Sequence, residues 1–183
     1  MKEKDNNKKT KNVKEKKDRW VIIVLISTFI LSLLFSFISN TAIAKLELIP
    51  SIVILIAVIF LGILFDMVAI AVTVGNEEDF HAQASKKIKG SKTAIKLIRN
   101  STKVSNFCAD VIGDICGVLS GAISAVIVLK MTEYYGFSEN LQFIMSAIVA
   151  SLTVGGKAFT KGIAKKNSTI IIGFVCKFIN FDK

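Results

Sequence analysis

Asp66, Asp110 and Asp114 each fall inside an apolar run, where a lipid-embedded chain tolerates a carboxylate least. A charge at bilayer depth costs about 2.5–3.5 kcal/mol on insertion scales, so it normally faces protein or a wet cavity. Asp110 and Asp114 are one helical turn apart and share a face with Asn106. Carboxylate and amide oxygens together suit hard cations such as Mg²⁺ or Na⁺, not thiophilic metals. On this reading Asp66, Asn106, Asp110 and Asp114 line an oxygen-rich, cation-selective site between packed helices. A blander reading stays open beside it. The acids could lie uncharged in the interior, or near the interface, where the side chain snorkels to water. Asp110 is only six residues beyond the expected start of its span at Val104.

Other chemistry has less to stand on. His81 is the single histidine, which excludes His-built metal or triad chemistry within one chain. It follows an acidic run in an amphipathic segment, which suits a surface or packing role. The three cysteines show no paired spacing, so neither a disulfide framework nor a zinc motif is expected. Cys108 and Cys116 read as small buried residues. There is no Gly-rich phosphate loop, no nucleophile–base pair and no cofactor box. An enzyme and an organic cofactor are therefore not expected.

The elements that must hold these acids follow from how charge and hydrophobicity separate along the 183 residues. Residues 1–19 carry nine Lys/Arg and four Asp/Glu and cannot bury enough surface to fold, which makes a solvated basic tail. The tail lacks aromatic residues to stack on bases, so nucleic acid is not an expected partner. Residues 20–39 are uncharged and, at 1.5 Å per residue, span roughly 30 Å, the hydrocarbon thickness. Trp20 stands where an interfacial anchor would. An uncleaved anchor fits better than a signal peptide, although Ala42-Ile43-Ala44 has the form of a cleavage site. Further spans are expected at 50–75, 104–129 and 141–159. Between them, the insert 76–103 places its acids first and its cations last, as a helix dipole prefers. Phe80, Ala84, Ile88, Ile95 and Ile98 predict two short amphipathic helices broken near Gly90-Ser91, lying along the membrane. Residues 169–180 have helical spacing but are too short to cross, so they should lie in the interface. The fold class is all-α: a polytopic membrane protein with four transmembrane helices plus amphipathic interfacial ones.

Small residues suggest how the spans pack. Gly113, Gly117 and Gly121 recur every four residues, and Ala147, Ser151 and Gly155 form a matching stripe. Such stripes let helices approach closely and suggest a homodimer. Topology follows from charge. The tail, the insert and the chain from Lys157 onward hold 22 of the 24 Lys/Arg, while the two opposite loops hold only Lys45 and Lys130. The positive-inside rule places both termini and the insert in the cytoplasm, facing an anionic leaflet.

The order of these features resembles the transmembrane domain of the cyclin-M/CorC (CorB-like) magnesium transporter family, over about residues 58–180. Gly156-Lys157-Ala158-Phe159-Thr160-Lys161-Gly162-Ile163-Ala164-Lys165-Lys166-Asn167 tracks that family's Gly-Glu-x-x-Pro-Lys-x-x-Ala-x-x-Asn motif without a gap. Phe80 to Ala84 and Lys96 to Asn100 look like its cytosolic amphipathic pair. Gly113-Asp114 falls where the family has Gly-Asn, and Phe65-Asp66 near its Phe-Ser. The family's Glu and Pro in the last motif stand here as Lys157 and Thr160, its first-motif Glu as Ala69, and its second Asn as Ile115. The resemblance implies a homodimeric transporter of Mg²⁺, with Asp66 and Asp114 in place of a Ser and an Asn of the ion site. The nucleotide-sensing domains that usually follow in that family are not expected here.

Two functions are therefore expected. The first is a divalent-cation (Mg²⁺) transporter, or a related membrane protein without sensor domains. The alternative is a non-transporting membrane partner, regulatory or structural subunit held by its small-residue stripes. A phage-type permeabilising protein fits poorly with paired intramembrane acids and a long surface insert.

Overall fold

The computed structural model describes residues 22, 25–34, 36, 37, 41, 43, 45–136 and 140–179. The basic tail 1–19 and part of the anchor 20–39 lie outside them. The described part of that anchor is an apolar helix, α1 (Leu25–Leu34). The chain then continues through α2 (Leu48–Val74), α3 (Glu77–Ser85), α4 (Ser91–Arg99), α5 (Ser101–Asn106), a π-helical segment (Phe107–Ile112), α6 (Gly113–Tyr135), α7 (Leu141–Lys166) and α8 (Ser168–Ile179). Among the described residues three helical stretches are long and apolar enough to cross a membrane: Leu48–Val74, Ser101–Tyr135 and Leu141–Lys166. The protein is an all-α membrane protein.

These helices start and stop for local reasons. Pro50 sits in the first turn of α2, where its missing N–H removes no intrahelical bond. Asn76 caps α3 by accepting from the Glu78 N–H at 3.3 Å, and Glu77, Glu78 and Asp79 fill the first turn. That arrangement suits the positive end of the dipole. The insert breaks at Gly90, whose φ of +89° is left-handed. Cβ-bearing residues avoid that conformation. A Cβ there would also stand 3.3 Å from the Cys176 backbone.

α2 is the hub. Its buried residues Ser51, Leu55, Ile59, Gly62, Asp66, Ala69 and Val72 form one seam at spacings of three or four. The α5–α6 stretch runs antiparallel to it: Ile123 and Ile127 cluster with Leu55 and Ile59, and Val104 packs near Val68. α7 runs parallel to α2, with Val149 beside Leu55 and Gly156 against Ile63. This stretch begins and ends beyond the 104–129 expected for it, and α7 beyond 141–159. The apolar runs mark where lipid can be met, whereas helical hydrogen bonding carries on into polar ends.

At the other end of α2, α8 does more than rest in an interface. Its Ile172 and Cys176 are fully buried with Ala71, Val72, Phe80, Ala94 and Ile95. Thr169 Oγ1 donates to Asp79 Oδ2 at 2.9 Å, and Arg99 Nε meets Glu77 at 3.2 Å, so α3, α4 and α8 form one cap. These exposed polar links add little stability. The buried apolar cluster supplies most of it.

Lys130 departs from the expected loop placement. Near the end of α6 it is buried, and its ammonium donates to the carbonyls of Ile43 and Leu46 and reaches Ser51 Oγ at 3.3 Å. It ties the segment before α2 to α6. Lys130→Met keeps the stem but leaves those carbonyls without a donor, at about 1–3 kcal/mol per buried group. A lower unfolding temperature in detergent is expected, and an unchanged one would show that the tie carries no stability.

Candidate functional site

The α2 seam decides which acid enters the bundle. Gly62 is buried, and a Cβ on it would stand 3.0 Å from Cys116 Cβ of α6. A Cβ on Gly156 of α7 would overlap the Ile63 side chain. The absence of side chains at Gly62 and Gly156 thus lets α2, α6 and α7 approach closely. Asp66 lies one turn beyond Gly62 on the same face and is only 9% exposed. Its Oδ2 is buried and has no hydrogen-bond partner. A buried polar atom left so is uncommon and calls for a ligand, an ion or a water.

Lys157 approaches the same crossing from α7. Its ammonium lies 3.5 Å from where a Cβ on Gly113 would stand. The antiparallel register that sets Gly62 against Cys116 puts Asp66 level with Ile112 and Gly113. Asp66 and the Lys157 ammonium are therefore within about one helical turn of each other along the bundle. α7 continues as a helix nine residues past Lys157, to Lys166, beyond the 141–159 expected for the span, and Lys157 itself is half-buried.

Asn106, Asp110 and Asp114 point elsewhere. All three are exposed, on the side of the α5–α6 stretch away from α2, while Gly113, Ile115 and Leu119 face inward. Among the described residues no three His, Cys, Asp or Glu side chains come together. The expected cation site sets Asp66 beside Asn106, Asp110 and Asp114; among the described residues Asp66 is buried while the other three are exposed. The π-helical segment that contains Asp110 makes the local geometry unusual, and such segments often mark functional sites.

The small-residue stripes also divide. Gly113 is buried beside Lys157 and Cys108. Nothing lies within 4 Å of a Cβ built on Gly117, Gly121 or Gly155, and Ser151 is exposed. These four residues face out of the chain. Sequence reasoning passed over the glycines of the actual close contacts, Gly62 and Gly156, although Gly62 stands four residues before Asp66.

Compared with family models, curated proteins and solved structures, the chain matches none.

Proposed function

We propose that this chain is a cation-handling membrane module, with Mg²⁺ the leading ion and Asp66 the carboxylate that meets it, as the resemblance to the cyclin-M/CorC transmembrane domain also implies. The observation that carries this reading is the Asp66 Oδ2 atom, buried in the α2–α6–α7 crossing without a hydrogen-bond partner. A carboxylate stays at that depth when a positive charge or water reaches it. Lys157 supplies a tethered positive charge nearby, so an entering ion has to displace or repel it. With Lys130 buried and Lys157 half-buried, the remaining cations still crowd the tail, the insert and the C-terminal stretch. Both termini are accordingly assigned to the cytoplasmic side.

The second reading, a non-transporting partner or structural subunit, is favoured by the outer face of Asp110, Asp114, Gly117 and Gly121. Carboxylates at this depth are poorly suited to lipid, and open glycines invite a neighbouring helix. A homodimer formed across that face serves either function.

A thermal-unfolding screen of the purified chain against Mg²⁺, Ca²⁺, Mn²⁺, Na⁺ and K⁺ separates the two. Mg²⁺ is expected to raise the midpoint of the parent but not of Asp66→Asn. The isosteric amide keeps the packing and loses the charge. Equal shifts in both proteins would remove Asp66 from the site. Mg²⁺ flux in proteoliposomes then distinguishes transport from binding alone.

A further inference from the structure

We propose that the cavity between α2, the α5–π segment and α8 holds an acyl chain of an anionic phospholipid, whose headgroup rests on the lysines of α4, α5 and α8. The cavity has a volume of about 560 Å³, within the usual range for small-molecule sites. It runs along α2 from Leu61 to Val72, about 17 Å at 1.5 Å per residue. Val104 and Cys108 form one side and Phe174 the other, and the lining is apolar throughout. A long slot with no polar group in its wall suits a hydrocarbon chain. A headgroup, a metal ion or a polar metabolite would find no partner inside it.

Charge identifies the lipid. The segments Ser91–Asn106 and Ser168–Ile179, which frame the insert end of the slot, contain Lys92, Lys96, Arg99, Lys103 and Lys177 and no acid. Of the three acids in the first turn of α3, Glu77 and Asp79 are engaged by Arg99 and Thr169, which leaves Glu78 against five cations. Lys96 adjoins the lining residue Leu97, Lys103 adjoins Val104, and Lys177 adjoins Phe178. All three lysines are exposed. Basic residues at the mouth of a slot between membrane helices favour an anionic headgroup over a zwitterionic one. This inference does not depend on whether the chain moves ions.

The test uses the full chain purified in detergent, with added phosphatidylglycerol or phosphatidylcholine of identical acyl chains. Phosphatidylglycerol is expected to raise the unfolding midpoint by several degrees more than phosphatidylcholine. Mass spectrometry is expected to find anionic phospholipid retained by the protein. The triple variant Lys96→Gln, Lys103→Gln, Lys177→Gln changes exposed residues only and should bring the two lipids to the same smaller shift. Val104→Phe fills the slot and should lower the retained lipid. Equal shifts from both lipids in the parent would overturn the headgroup assignment. Lipid retention unaffected by either variant would overturn the location, and so would a stabilised parent that carries no phospholipid.

Discussion

Lys157→Met, with Asp66 left in place, is expected to lower the stability of the bundle, by less than the roughly 3–5 kcal/mol of a broken fully buried charge pair because Lys157 is only half-buried. Asp66→Leu alone should cost less, because the half-buried Lys157 ammonium can still reach water. The double variant should recover most of either loss, since apolar pairs of similar volume are often neutral or stabilising. Denaturant unfolding of the four proteins in one detergent gives the coupling energy directly. Additive losses would mean that Asp66 and Lys157 do not sense each other, and Asp66 would then need a different counter-charge. The same series reports on ions. With its tethered cation removed, the Lys157→Met protein should be stabilised more by Mg²⁺ than the parent is. A Mg²⁺ response that falls instead would make Lys157 a supporting residue rather than a competitor.

Gly62→Leu and Gly117→Leu should fail in different ways. At Gly62 a new side chain meets Cys116 Cβ of α6 at 3.0 Å from its first atom. Overpacking of this kind costs about 1–3 kcal/mol or more. Helix α2 would move off α6, and the Asp66 crossing would loosen with it. The expected result is a much lower unfolding midpoint with loss of any cation response. At Gly117 a Cβ meets nothing in the chain. Leu there should leave the stability of the single chain unchanged while weakening assembly. Size-exclusion chromatography with light scattering reads the difference. A Gly117→Leu protein that assembles as the parent does would free this face from any role in dimer formation. Unchanged stability in Gly62→Leu would put the close contact in doubt.

Much of the layout was legible in the residues. The acids-first, cations-last insert predicted two helices broken at Gly90-Ser91, and α3 and α4 are separated there by a left-handed Gly90. The helical spacing of residues 169–180 predicted a final helix, and α8 covers Ser168–Ile179. What escaped was depth and direction at particular side chains. Lys130 was expected in a loop, yet it is buried on the backbone carbonyls of Ile43 and Leu46. Asp66, Asp110 and Asp114 looked alike as single acids in apolar runs, yet one faces inward and two face outward.

By itself the sequence determined the class of protein, the apolar runs and the polar insert between them, because uncharged length and charge segregation are one-dimensional properties. It could not determine which face of each long helix is inward. A helix apolar on every side carries little amphipathic signal, since lipid and protein interior are similarly apolar. Tertiary structure made that choice through close contacts. Gly62 and Gly156 bring α2, α6 and α7 together, and that approach buries Asp66, brings Lys157 to its level and leaves Asp110 and Asp114 on the outside.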